Sequence, residues 1–207
     1  GKGIAEFVGT FFLTLTIFIA AVNGSAGAFA PLAIGLTLMV MIYALGHVSG
    51  AHFNPAVSIG LFLKGDCSQD ELPTYLGAQI LAGVLAFFVG SELVLNGADA
   101  AEITAATFDS TIAVLSAEAL WTFALMFVII NVATEQAGNQ FYGAAIGLTV
   151  MAGAFTVGGI SLGSFNPAVT TMLTVSGKLA VADIWMHIVP QLLGAVGAVY
   201  TPVSYTH

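Results

Sequence analysis

Apolar and polar positions alternate along this chain in long blocks, and that rhythm predicts helices. Apolar runs cover roughly residues 4–22, 31–46, 72–95, 112–132, 141–157 and 183–203, separated by breaks rich in Gly, Asn, Pro and charge. Each run is about long enough to cross a bilayer as a helix of some 20 residues. Two shorter apolar pieces, Ala56–Leu63 and Ala168–Val175, are too short to cross. Each follows the same pentapeptide, Phe53-Asn54-Pro55-Ala56-Val57 and Phe165-Asn166-Pro167-Ala168-Val169. Asn before Pro is a helix-start signal, so each short piece is predicted to be a half-helix whose N-terminus sits at the motif.

The two motifs belong to an internal duplication. Asn166 lies 112 residues after Asn54, and the same offset relates Glu118 to Glu6, Gln191 to Gln79, and Ile146-Gly147-Leu148-Thr149 to Ile34-Gly35-Leu36-Thr37. Each copy, about 1–96 and 112–207, holds three spans and one half-helix. Three is odd, so the second copy enters the membrane from the opposite face, the inverted-repeat design in which broken helices meet near the midplane. The expected fold is all-α, with six transmembrane helices and two re-entrant half-helices in a single domain. The linker, about Asn96 to Thr111, carries Asp99, Glu102 and Asp109 without a base and reads as an exposed loop.

Composition sharpens this picture. Of 207 residues 58% are hydrophobic and 7% charged, against about 25% charged in soluble domains, so the chain is built for lipid. The runs lack the alternation of barrel strands. The formal charge of −8, with Lys2, Lys64 and Lys178 as its cations, excludes nucleic acid as a partner, which needs clustered bases. Lys2, the first apolar run and Gly24-Ser25-Ala26 imitate a secretory leader, but Glu6 inside the run and the repeat require a permanent helix. Asn23-Gly24-Ser25 matches a glycosylation acceptor, a short and weak signal.

In the inverted arrangement the half-helices aim their N-termini at each other. Each end carries unpaired backbone N–H groups and about half a positive charge. Asn54 and Asn166 add amide donors, and the unwound stretches before them offer carbonyls to water. The result is a narrow path that water can follow and at whose waist cations meet positive dipole ends.

The chain resembles the aquaporin/glycerol-facilitator family, through Gly46-His47-Val48-Ser49-Gly50-Ala51-His52-Phe53-Asn54-Pro55-Ala56-Val57, Ala145-Ile146-Gly147-Leu148-Thr149, Phe165-Asn166-Pro167-Ala168 and Ala5-Glu6-Phe7-Val8-Gly9-Thr10. The resemblance implies a pore through each subunit, a homotetramer in the cell membrane and both termini in the cytoplasm. Lys2 and Lys64 then lie inside and Lys178 outside. It also implies an outer selectivity filter of four positions, here Ile34, Ala154, Gly163 and Val169. Members usually carry Arg where Val169 stands, and water-selective ones an aromatic and a His at two of the others. The expected filter is therefore wide and apolar, passing small uncharged solutes such as polyols, urea or ammonia as well as water, without ion current. Many members are blocked by mercury at a thiol three residues before the second Asn. That position is Gly163, and the single cysteine, Cys67, follows the first half-helix. Weak or absent mercury block is expected, and strong block abolished by Cys67→Ser would contradict this placement.

Glu6 and Glu118 lie inside spans, where carboxylates are costly. Their matched placement points to holding the unwound loops through hydrogen bonds, with Gln79 and Gln191 in the same role. His52 can face the pore or respond to pH, or satisfy neighbours in a packed loop; His47 reads as structural. His187 has no ligand-spaced partner, and no metal or other cofactor is assigned. No Ser/His/Asp or Cys/His set and no phosphate loop is present, so an enzyme is not expected. Trp121, Trp185, Tyr200 and Tyr205 suit interfacial belts. The rival function is a poorly conducting membrane scaffold or adhesion protein on the same fold, an expectation that the short termini disfavour.

Overall fold

A computed structural model describes residues 1–97, 103–136 and 138–201. Among these residues all regular structure is helical. The helices are α1 (Lys2–Ile17), α2 (Ala30–Ser49), α3 (Pro55–Lys64), α4 (Leu72–Phe88), α5 (Thr111–Ile129), α6 (Tyr142–Ser161), α7 (Pro167–Val175) and α8 (Trp185–Val199). Wider turns prolong α1 to Val22, α4 to Val94 and α5 to Thr134. With their short extensions, α1, α2, α4, α5, α6 and α8 make six apolar spans of 19 to 24 residues. That is enough to cross hydrocarbon, so this is an integral membrane protein. The half-helices α3 and α7 have 10 and 9 residues and fold back without crossing.

The spans run past the expected ends in two places. Helix α2 continues through His47-Val48-Ser49 and α6 through Gly158-Gly159-Ile160-Ser161, stretches expected to be unwound. Both stop only where the next residue turns left-handed, Gly50 at φ 85 and Leu162 at φ 70. Polarity alone did not end the helices; the backbone reversal did. Asp99, Glu102 and Tyr205 lie outside the described residues, while Asp109 is exposed.

Helices pair as the duplication requires: α1 packs on α4, α5 on α8, and α2 crosses α6. At the α2–α6 crossing, Gly35 and Gly147 face each other's carbonyls. A methyl on Gly147 would lie 2.5 Å from Gly35 O, and one on Gly35 2.7 Å from Gly147 O. In lipid, where apolar burial gives helices little reason to associate, such backbone approach supplies the packing. Gly194 plays this part between α8 and α5. A methyl there would fall inside contact distance of Ala119 O and 2.9 Å from Phe123 N, both backbone atoms that cannot step aside. Gly194→Ala is expected to push the two helices apart and cost about 2 kcal/mol. Thermal unfolding in detergent checks it, and an unchanged transition would show that the interface tolerates the methyl.

Each half-helix packs against the final span of both copies, α3 on α8 and α4, α7 on α4 and α8. Burial is deepest at their N-terminal ends, Pro55 to Ser58 and Pro167 to Thr170, while Leu63 and Val175 at the far ends are exposed. Trp121 corrects the interfacial expectation. It is half-buried on α5, its ring centred 6.2 Å from that of Phe165, and it packs the loop before α7. Trp185 and Tyr200, at the two ends of α8, are exposed as a belt residue would be.

Candidate functional site

The segments before the half-helices are short and unwound, residues 50–53 and 162–165. Their backbones take the same unusual course. Gly50, Ala51 and Phe53 in the first, and Leu162, Gly163 and Phe165 in the second, all have positive φ. Such turns leave N–H groups pointing inward with no helix to receive them. Two buried carboxylates receive them. Glu6 accepts from Ser49 Oγ at 2.6 Å, His52 N at 2.9 Å, Phe53 N at 2.7 Å and Gln79 Nε2 at 2.8 Å. Glu118 accepts from Ser161 Oγ at 2.7 Å, Ser164 N at 3.0 Å, Phe165 N at 2.8 Å and Gln191 Nε2 at 2.8 Å. All four polar side chains of these pairs, Glu6, Glu118, Gln79 and Gln191, are fully buried.

The half-helices begin on Asn54 and Asn166, whose extended backbones are suited to a cap. Each Oδ1 accepts from the N–H two residues on, Ala56 N and Ala168 N, both at 2.9 Å. Each Nδ2 reaches into the other copy. Asn54 donates to Phe165 O at 2.8 Å, and Asn166 donates to Phe53 O at 2.9 Å. The two N-termini therefore abut, and Pro55, Ala56, Pro167 and Ala168 are buried behind them. Each amide gives an N–H to this exchange, and both asparagines line a cavity.

One cavity runs past this junction. Asn54, Asn166 and His52 line it, as do Ile34, Ala154, Gly163 and Val169, gathered from α2, α6, the loop before α7 and α7 itself. The centre of a water-sized sphere has about 50 Å³ to move in. One water needs roughly 10–15 Å³ of such space, so the cavity has room for only a few waters. Leu13, Ile17, Leu38, Leu125, Ile129 and Val150 make most of its remaining wall apolar. His52 hydrogen-bonds Ser58 Oγ through Nδ1 at 3.0 Å and meets Tyr75 edge-on at 4.8 Å. His47 is exposed and lines a second cavity with Gln136, Asn139 and Tyr142. Among the described residues no group of His, Cys, Asp and Glu is placed to hold a metal.

Three residues of the site are invisible to motif reading. Tyr75 OH donates to Ser49 O at 2.6 Å, and His187, 112 residues later, bonds Ser161 O through Nε2 at 2.7 Å. A carbonyl only accepts, so this nitrogen carries the proton. Both side chains pin the last carbonyl before an unwound segment. The offset of 112 was the available signal, but Tyr and His do not look like a pair. Leu162, the third, lines the cavity from a left-handed backbone. Cys67 is buried in the connection after α3, and burial pushes its thiol above the usual range, which further limits reaction with mercury.

An apolar six-span bundle whose two half-helices abut beside a narrow cavity defines a membrane channel, not an enzyme. The sequence matches the Major intrinsic protein family over residues 1–153 and 135–206, and the chain belongs to that family. It is 35% identical to the putative aquaporin NIP4-1 of Arabidopsis thaliana over 99% of this chain and 75% of that protein. It is 36% identical to the aquaporin NIP1-1 of Zea mays over 100% of this chain and 76% of that protein. Its fold matches the X-ray structure of the aquaglyceroporin from Plasmodium falciparum, with a TM-score of 0.78, 24% identity, and coverage of 96% of this chain and 93% of that one.

Proposed function

We propose that the chain forms a passive pore for water and small uncharged solutes, with an outer filter made of Ile34, Ala154, Gly163 and Val169. The observation that carries the reading is the cavity itself. These four residues share it with both capping asparagines, and none of them contributes a charge or a side-chain hydrogen-bonding group. A solute crossing the filter finds methyl groups and backbone only, so it must be neutral and tolerate partial loss of its water shell. Polar partners resume at His52, Ser164 and the two asparagines. The abutting N-termini oppose cations there.

The reading extends to topology and assembly. Lys2 pairs with Glu71, and Lys64 bonds Asp66 at 2.9 Å and Glu135 at 2.8 Å, while Lys178 donates to Thr104 O. The hydrogen bond that Lys64 donates to Glu135, then the one it donates to Asp66, holds its ammonium above the ordinary range. The first two cations belong to the face where α1 and α4 begin, which supports a cytoplasmic N-terminus in the cell membrane. Two inverted copies in one domain, four subunits and one pore in each complete the proposal.

Isosmotic swelling of proteoliposomes with urea, glycerol and larger polyols tests it, alongside current recording for ions. Swelling with at least one solute and no ion current is expected; no swelling above empty vesicles with any solute refutes it. One substitution probes the filter directly. Val169 is 2% exposed, packed in one cluster with Phe18, Met172, Leu173 and Leu179, and it lines the cavity. In Val169→Arg the guanidinium must extend into the lumen, narrowing it and adding a fixed charge. Polyol flux is expected to fall about tenfold or more, with a smaller change for water.

A further inference from the structure

At Leu162 the two copies keep the same backbone course but place different residues on it. The turn after α2 and the turn after α6 have the same left-handed positions, at residues 50, 51 and 53 and again at 162, 163 and 165. In the first copy glycine takes the first of these positions, Gly50, and Ala51 the second. In the second copy the order is changed: Leu162 takes the first and Gly163 the second. A bulky side chain at positive φ crowds its own backbone, which is why glycine is the ordinary choice. An unfavourable conformation kept in place by its surroundings is a pointer to function.

The surroundings do keep it in place. The residue before, Ser161, has its carbonyl on His187 Nε2 at 2.7 Å and its hydroxyl on Glu118 at 2.7 Å. Two residues after, Ser164 N donates to Glu118 at 3.0 Å. The turn cannot relax without breaking buried hydrogen bonds. The side chain is half-buried, lines the cavity and packs against the cluster of Phe18, Val169, Met172 and Leu173. Neither Gly50 nor Ala51 lines that cavity.

Resting on the channel reading above, we propose that Leu162 is a fifth, specificity-determining wall residue. It presents its methyl groups beside Val169 and limits the size of neutral solute the pore admits. It also supplies apolar wall where a glycine would leave space and an exposed backbone for water to follow.

The test compares wild type, Leu162→Gly, Leu162→Ala and Leu162→Asn in proteoliposomes, after size-exclusion chromatography has shown each to be folded. Glycerol and larger polyols are the solutes, and osmotic water flux is measured on the same vesicles. Leu162→Gly opens the wall and suits the backbone, and Leu162→Ala opens it without changing the turn. Both are expected to raise the polyol-to-water flux ratio several-fold. Asn tolerates the left-handed turn and nearly matches Leu in size. Leu162→Asn is therefore expected to keep the wild-type size limit while raising water flux. A residue that merely fills space would lower thermal stability in the small variants and leave the ratio unchanged. An unchanged ratio in folded Gly and Ala variants, with conducting wild type, overturns this proposal alone. Wild-type vesicles no faster than empty ones overturn the channel reading as well.

Discussion

Glu118→Ala is expected to yield no stably folded protein. The side chain accepts from Ser161 Oγ, Ser164 N, Phe165 N and Gln191 Nε2, all within 3.0 Å, and it is fully buried. Removing it takes the buried acceptor from Ser161 Oγ, Ser164 N and Phe165 N, while Gln191 Nε2 keeps Ser164 Oγ and Thr170 Oγ1. At about 1–3 kcal/mol for each unmet buried donor, the loss is comparable with the whole stability of many folded domains. Two of the donors are backbone groups of a turn already in an unfavourable conformation, so the loop that carries Gly163 loses its anchor. Glu118→Gln keeps the volume and one acceptor oxygen but turns an amide N–H toward other donors. It is expected to fold with a clearly lowered melting temperature. Size-exclusion profiles and thermal unfolding in detergent check both. A monodisperse Glu118→Ala protein that melts with wild type would mean the turn holds itself.

Asn166→Asp is expected to leave the fold intact and admit cations. An aspartate still caps the half-helix, because its oxygen can receive the 2.9 Å bond from Ala168 N. What is lost is the N–H that Asn166 gives to Phe53 O at 2.9 Å, where two oxygens would now face each other. What is gained is a full negative charge between two helix ends carrying about half a positive charge each. The positive balance at the waist is brought to about zero, and the barrier to a cation falls with it. Voltage clamp of cells or bilayers containing the variant should record a cation current absent from wild type. Silence in both, with water flux unchanged, would show that the waist does not set the ion barrier.

Most of the framework is legible in the residues, for physical reasons. Lipid forces every spanning segment to satisfy its own backbone, so spans announce themselves as long apolar runs. A duplication with one fixed offset then transfers each assignment to its partner, as with Glu6 and Glu118. Helix ends were harder to place. His47-Val48-Ser49 looks like loop but is helix, because its polar groups face a cavity mouth, a carboxylate and a tyrosine that lie elsewhere in the chain. Trp121 looked interfacial because Trp often is, yet it packs against a ring 44 residues away. His187 was illegible because its role mirrors that of Tyr75, a chemically different residue. Leu162 was missed because a left-handed backbone leaves no mark in sequence when the residue is not glycine.

Osmotic shrinkage of proteoliposomes, followed by stopped-flow light scattering over a range of temperatures, tests the central claim most directly. If water passes in file between the tips of α3 and α7, vesicles holding the purified chain shrink faster than empty ones and with a weaker temperature dependence. Equal rates and equal temperature dependence in the two kinds of vesicle would contradict the account.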